Sequence, residues 1–334
     1  MKPILAGDIG GTKSHLAVAE VSGSEVRIVR EITYPSRDYA TFEDLLGDFF
    51  SVAEPFLSSG FIRAAFGIAG PVQGRVVQTT NLPWHIDAAA LQQHFGFARC
   101  TLLNDLETTA YGLPALAEKD IVVLQSGAQD SRGNCAVIAA GTGLGEAGLY
   151  WDGQRHHPFA TEGGHASFAP GNELDMAFLQ HMQRQHRHVS WERVVSGMGL
   201  LSLHEFLCLH RQVAAPKWLL EQMRSGDAAA SIAQAALSGR DDICIETLDW
   251  FVRLYGAEAG NLALKVMSRG GVYLGGGIAP KILPLLQNGT FIEAFMNKGR
   301  MQPLLEAMPV RVILNDRTAL FGAALCAAQF DDDE

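Results

Sequence analysis

Residues Gly7 to Ser14 read GDIGGTKS, one residue short of a nucleotide-triphosphate loop. The pattern G-x-x-x-x-G-K-[ST] asks for glycine where this chain has Thr12, while Lys13 and Ser14 fall in the places of the phosphate lysine and the magnesium hydroxyl. The residues after the glycines decide the reading, because a P-loop and a dinucleotide fingerprint both hold phosphate on the positive N-terminus of a helix. Here HLAVAEV, His15 to Val21, alternates large and small apolar residues, Ser22, Gly23 and Ser24 make a turn, and EVRIVREITY, Glu25 to Tyr34, alternates again. A period of two predicts strands. The glycines therefore join two antiparallel strands, and neither helix-based motif fits. A glycine-rich hairpin still binds phosphate where its amides form a nest, and Asp8 at the strand's end suits a hydrated cation. The octapeptide alone leaves a plain tight hairpin open.

Outward from this hairpin, FEDLLGDFFSVAEPFL, Phe42 to Leu57, has helical spacing with Pro55 at its end or at a kink. Ala64 to Val72 reads as a buried strand running into a turn at Gly70 and Pro71. Asp87 caps a helix reaching Phe95, and Cys100 to Leu103 is a strand that delivers Asn104 and Asp105 at its end. Strands alternating with helices predict a mixed α/β domain. The opening architecture then returns: strand Cys135 to Ala140, glycine turn Gly141 to Gly145, strand Glu146 to Trp151. Sequence identity between the two is slight, so the repeat is one of geometry. Helical spacing marks Glu173 to Gln185, Val194 to His210, Ala228 to Leu237 and Ile243 to Met267. A third glycine turn, Leu274 to Pro280 with Gly275 to Gly277 in it, comes after strand Gly271 to Leu274 and precedes a helix. Arg311 to Leu314 is a strand, and the small-residue helix Ala319 to Gln329 must pack closely on something. The expected division is a small α/β domain of residues 1–109 plus 317–334, to which that last helix returns, and a large α/β domain of residues 110–316.

With 334 residues the chain is long enough for two cores, and 48% hydrophobic against 19% charged residues describes an ordinary globular protein. A formal charge of -10 with no basic cluster argues against a nucleic-acid surface. No run of 18 apolar residues predicts a membrane span, and the short apolar run Pro3 to Ala6 is neither a signal peptide nor an anchor. Five cysteines without a C-x-x-C read as reduced thiols in a cytoplasmic protein. Asp331 to Glu334 reads as a solvated tail.

Three glycine turns, each after a strand, are what gripping a nucleotide requires. Asp105 reads equally as a base that takes a proton from an alcohol and as the cap of a helix starting at Leu106. Glu162, Gly163, Gly164 and His165 form a polar loop in which the histidine is a sugar contact or a structural residue; no third metal ligand is evident. Glu192 comes after Ser190, read as a helix cap, but a capping box would put its acid at position 193, so Glu192 is not explained that way. His181, His186 and His188 read as a solvated helix face before a metal site.

GDIGGTKSHLA, LNDLETTAYG, AAGTGLGEAGL, TEGGHASF, ERVVSGMGL and YLGGGIAPKI, in this order over most of the chain, resemble the bacterial ATP-dependent glucokinase family. The resemblance implies an actin-like ATPase fold: two α/β domains of ribonuclease-H-like topology with a cleft between them. It implies Mg-ATP-dependent phosphorylation of D-glucose at the C6 hydroxyl, opening glycolysis, by a cytoplasmic homodimer. Matching positions take matching roles. Gly7, Asp8, Ile9, Gly10, Gly11 and Thr12 would form the first ATP phosphate motif, with Gly141, Thr142 and Gly143 within the second. Gly275, Gly276 and Gly277 would lie by the adenosine. Asn104, Asp105, Glu162, His165 and Glu192 would hold glucose, with Asp105 as the catalytic base and Asp8 orienting Mg²⁺ through water. A related group of sugar kinases and repressors carries a cysteine-rich zinc motif that this chain lacks, so zinc is not expected. Glu146, repulsive toward phosphate, should point away. The alternatives are a kinase for mannose, fructose or glucosamine, and a non-catalytic sugar-sensing protein on the same fold.

Overall fold

A computed structural model describes residues 3–53, 63–79 and 82–329. Pro55 and the acidic tail lie outside them.

The chain opens with β1 (Ile4–Ile9), β2 (Lys13–Ser22) and β3 (Glu25–Pro35). Helix α1 (Phe42–Ala53) comes next, then β4 (Arg63–Ile68), a small ribbon of β5 (Val72–Gln73), β6 (Val76–Gln78) and β7 (His85–Asp87), α2 (Ala88–Phe95), β8 (Arg99–Asn104) and α3 (Asp105–Gly112). The buried strand expected to reach Val72 stops at Ile68, because Gly70 at φ +151° turns the chain into the ribbon. Asp87 caps α2 as its sequence requires, accepting from the amides of Ala89 and Ala90. The sheet order is β3-β2-β1-β4-β8, with β1 antiparallel to β2 and parallel to β4, and β4 parallel to β8.

The second sheet uses β9 (Ile121–Gln125), β10 (Cys135–Ala140), β11 (Leu144–Trp151), β12 (His156–Thr161), β13 (Gly271–Gly275) and β14 (Val310–Ile313) in the order β12-β11-β10-β13-β14-β9. Its helices are α4 (Glu173–Gln183), α5 (Gly197–Arg211), α6 (Lys217–Ser225), α7 (Ala228–Leu237), α8 (Asp242–Val266), α9 (Leu283–Leu286), α10 (Thr290–Met296) and α11 (Gln302–Glu306). Helix α12 (Thr318–Ala328) closes the chain. Among the described residues, no helix is long and apolar enough to cross a membrane.

Contacts divide the chain into two compact units: Met1–Asp120, His157–Ala160 and Asn315–Glu334 in the first, Ile121–His156 and Thr161–Leu314 in the second. A boundary at Thr109 would cut α3, which belongs whole to the first unit. In that unit one core holds Leu5, Ile9, Leu16, Phe42, Phe49, Phe66 and Trp84. On the other face of the sheet, Ala6, Ala17 and Ala65 meet Leu320, Ala323 and Ala327 of α12. The small residues of α12 are thus explained: a side chain at Gly322 would run into the Thr108 carbonyl, and one at Gly112 into that of Thr318, so α3 and α12 touch backbone to backbone. The second unit is built around α8, whose Phe251, Tyr255 and Leu262 are buried among Ile138, Val272 and Leu274 of the sheet. Burial of this kind contributes about 1.5–3 kcal/mol for each large apolar side chain.

Candidate active site

In the first unit, β1, β4 and β8 are parallel, and Ile9 pairs with Ile68, which pairs with Asn104. The glycine hairpin and Asn104–Asp105 therefore emerge at one sheet edge, where an open α/β sheet binds ligands. The hairpin turns on the Gly10 amide donating to the Lys13 carbonyl at 3.0 Å; a Cβ on Gly10 would lie 2.8 Å from that oxygen. Ser14 is buried and its hydroxyl lies 2.9 Å from that of Ser36, which itself donates to the Gly10 carbonyl at 2.7 Å. That serine locks the hairpin, Lys13 is exposed at the start of β2, and the P-loop reading fails on geometry as on sequence. Gly7 and Ile9 are core positions: a side chain at Gly7 would lie 2.6 Å from Phe66 and 2.9 Å from Leu16. Between them, burial pushes the Asp8 carboxyl up to about 6. Desolvation alone produces that shift, so a nearby cation would offset it. The carboxyl accordingly fits a hydrated Mg²⁺, and Gly10, Gly11 and Thr12 supply the turn beside it.

The helix cap at β8 is Asn104, not Asp105. Asn104 Oδ1 accepts from the amides of Leu106 (2.9 Å) and Glu107 (3.4 Å), and its Nδ2 donates to the Gly70 carbonyl. Asp105 is the first helical residue, with Oδ1 accepting from the Leu106 amide at 2.9 Å. Thr109 Oγ1 donates to the Asp105 carbonyl, which pins the residue's backbone. The cap sets the strand-to-helix corner, and Asp105 sits on it at the helix's positive end.

In the second unit, Ala139 of β10 pairs in parallel with Gly275 of β13, so two glycine turns share an edge. The first is shorter than its sequence suggests: Gly141, Thr142 and Gly143 turn, with the Gly141 amide donating to Gly143 at 2.8 Å, while Leu144 and Gly145 already pair in β11. In the second, Gly276 adopts φ +79° and a side chain there would strike the Ala140 backbone, so it must be glycine. A 3₁₀ turn, Ala279–Ile282, comes next and leads into the expected helix, the short α9. Gly141 and Gly277 have open space where a Cβ would stand, leaving room for a ligand.

Against this edge packs the polar loop. Glu192 Oε2 accepts from the Leu144 amide at 3.1 Å and fills the space over Gly143. The Glu192 amide donates to the Gly164 carbonyl at 2.8 Å. His165 stands between two carboxylates, with Nδ1 3.9 Å from Glu192 and Nε2 3.9 Å from Glu162. His188 donates from Nε2 to the His165 carbonyl at 3.0 Å, a contact that the sequence does not disclose. His165, His188 and Glu192 border a pocket of about 380 Å³ that also touches Ser190, His186 and Arg193. Ser190 caps no helix; it lies in a bridge to Ser167, and α5 begins later with Ser196 as its cap. The segment from Ser190 to Val195 is a run of turns that presents Glu192 to the loop.

Glu146 supports this loop from below. It lies in β11, its carboxyl is buried toward α8, and a side chain on Gly163 would collide with it. Thr161 Oγ1 donates to the Glu146 carbonyl at 2.9 Å and accepts from the Gly163 amide at 3.2 Å. Burial, then the neighbouring Glu258 carboxylate, push Glu146 up to about 8, with Lys265 opposing. Glu258 takes Asn261 Nδ2 at 2.7 Å and Lys265 at 3.5 Å. Burial raises the Glu258 carboxyl as well, so the two acids lie together with Asn261 and Lys265 on the Glu258 side. The sequence shows only that Glu146 should avoid phosphate; its partner lies 112 positions away, on α8.

The glucokinase family model matches residues 5–330. A glucokinase of Trichormus variabilis is 41% identical over 344 aligned residues, covering 98% of this chain and 100% of that one. The crystal structure of a glucokinase from an Antarctic psychrotroph is 33% identical and covers 98% of this chain and 99% of its own, with a TM-score of 0.86. A ROK family glucokinase from Streptomyces griseus, in complex with glucose and AMPPNP, shares the fold at 21% identity, with a TM-score of 0.65 over 98% of this chain and 99% of that one. The fold is thus the two-domain actin-like ATPase fold, and the chain belongs to the glucokinase family.

Proposed function

We propose that this protein transfers the γ-phosphoryl group of Mg-ATP to the C6 hydroxyl of D-glucose, giving glucose 6-phosphate and ADP. The observation that carries the reading is Glu192: one carboxylate binds the amide that ends a glycine turn and also faces His165, so the polar loop and the phosphate turn are set by the same side chain. Glu162, His165 and Glu192 offer alternating acceptors and a donor, the pattern that adjacent sugar hydroxyls pair with. Asn104 is largely spent on its helix cap, which leaves it a positioning role for Asp105.

In this reading Asp105 accepts the C6 hydroxyl proton as the sugar oxygen bonds to the γ-phosphorus and the bond to the bridging oxygen breaks, its electrons leaving with ADP. Such transfer depends on positioning and charge stabilisation rather than covalent catalysis. Gly10 to Thr12 and Gly141 to Gly143 would receive the phosphates, and Gly275 to Gly277 the adenosine. Mg²⁺, held through water by Asp8, would neutralise charge on the phosphate oxygens. The five cysteines are free thiols, which supports work in the cytoplasm; we assign it the first step of glycolysis, as a homodimer.

The test is turnover with Mg-ATP across glucose, mannose, fructose and glucosamine, together with Asp105→Asn. Glucose should be strongly preferred. The variant should lose about 10²–10⁴-fold in kcat while still binding glucose. Preference for another hexose would overturn the substrate, substantial turnover by the variant would remove Asp105 from the base role, and no ADP with any hexose would leave a sugar sensor.

A further inference from the structure

Away from these edges, the second unit gathers a different kind of chemistry. His204 and Cys208 lie one turn apart on α5, and Asp241 caps α8 with Cys244 three residues on. Among the described residues, His204, Asp241 and Cys244 each bring one donor atom to within 4.8 Å of the others. Cys208 Sγ lies 3.8 Å from His204 Nε2 and 4.0 Å from Nδ1, so a second thiol stands beside the histidine of this group. Asp241 Oδ1 accepts from the Cys244 amide at 2.8 Å, which leaves its other oxygen to serve as a ligand. His204 and Cys244 are buried, whereas Cys208 is half-buried and gives the cluster its access.

We propose that His204, Cys208, Asp241 and Cys244 form a tetrahedral site for a thiophilic divalent cation, with Zn²⁺ the best match, that clamps α5 to α8. The sequence argues against zinc only through its lack of a cysteine-rich motif, and folding gathers these four donors from two helices without one. Two sulfurs, an imidazole and one carboxylate are the donors of structural zinc sites, whereas Mg²⁺ and Ca²⁺ select oxygen alone. Bonds of about 2.0–2.3 Å put tetrahedral donors about 3.3–3.8 Å apart, so the widest gap among the first three closes by about 1 Å, within the reach of side-chain rotation. The spacings help. Positions i and i+4 present His204 and Cys208 on one face of α5, and the cap geometry of Asp241 returns its carboxylate toward Cys244. None of the four residues belongs to the sugar or phosphate edge, so this site stands or falls independently of the kinase reading.

The experiment uses the reduced, full-length protein, stripped with chelator and titrated with Co²⁺ alone. The expected result is the thiolate charge-transfer band with the visible bands of tetrahedral cobalt, saturating at about one ion per chain. Zn²⁺ should bleach them. Cys244→Ser and the less buried Cys208→Ala should each abolish the bands, while His186→Ala should keep them. Zn²⁺ should raise the thermal midpoint of the wild type but not of Cys208→Ala. Absence of the bands in the wild type, or bands unchanged in Cys208→Ala, would overturn the assignment.

Discussion

The two sheets share one plan, and they differ at one telling position. β2-β1-β4-β8 in the first unit and β11-β10-β13-β14 in the second have the same order and the same parallel and antiparallel pairings. Counting back two pairs from each hairpin's mouth, Gly7 faces Leu16 in the first and Ile138 faces Glu146 in the second. Both Leu16 and Glu146 are buried. The plan itself is satisfied by leucine, so the acid in the second unit is not there to build a sheet. It holds up the loop that carries Glu162 and His165, and burial beside Glu258 pushes its carboxyl toward the neutral form. The hairpins differ for the same reason: Gly10 to Lys13 locks onto Ser36, whereas the tighter Gly141 to Gly143 turn docks Glu192.

Exchanging the two residues breaks the likeness most severely. Leu16→Glu buries an acid with no prepared partner and should cost about 3–5 kcal/mol, read as a lowered denaturant midpoint. Glu146→Leu leaves Glu258 its Asn261 and Lys265 partners, so it should cost less, about 1–3 kcal/mol, read the same way. Its KM for glucose should nonetheless rise, because Gly163 loses the group it rests on. Equal destabilisation by both substitutions would erase the distinction between the units.

A smaller effect separates the two edges in function. Glu192→Gln keeps the shape but weakens the charged acceptor for the Leu144 amide and for His165, so about 1.5–3 kcal/mol is at stake. That is a rise of about 10–150-fold in KM for glucose, with kcat less affected, opposite to the split expected for Asp105→Asn. Steady-state kinetics on both variants decides it; a loss confined to kcat in Glu192→Gln would place that residue with the reacting atoms instead.

Much of this is legible in the sequence because it is local. Period-two alternation marks β2 and β3, glycine turns mark three strand ends, and the Asp87 cap stands where its residue type places it. The resemblance supplies the family, and His165, Glu162 and Glu192 do stand together. The misreadings arise from local competition or from partners far off in sequence. Asn104 and Asp105 are both good caps, and only the corner's backbone chooses Asn104. Ser190 carries a cap's side chain but sits in a bridge rather than before a helix. No spacing rule connects Glu146 with Glu258, or Ser14 with Ser36, since three-dimensional packing alone pairs them.

The buried proton on Glu146 also sets a pH dependence that the leucine of the first sheet cannot have. Folded Glu146 holds its proton to about pH 8, while the unfolded chain releases it near the ordinary value of 4.5. The folded state therefore binds more protons across that interval, so this group's contribution is full below about 4.5 and drains away as pH rises through about 8. Glu146→Gln removes the group, and its thermal midpoint should fall less steeply between pH 5 and 9 than that of the wild type. Parallel curves would show that the carboxyl ionises freely and is not held by α8.

The smallest effect is expected at Lys13, and it tests the hairpin itself. In a P-loop that lysine reaches the β- and γ-phosphates from a helix N-terminus, and its loss would be severe. Here Lys13 begins a strand, its side chain is exposed, and its carbonyl is what closes the turn through Gly10. Substitution to alanine leaves that carbonyl in place. Lys13→Ala should change stability and the KM for ATP by no more than about 0.5 kcal/mol, roughly twofold. Ser14→Ala, by contrast, removes the buried hydroxyl that meets Ser36 and should cost about 1–3 kcal/mol. If Lys13→Ala proved the more damaging of the two, the hairpin would be gripping phosphate with its side chain rather than its backbone.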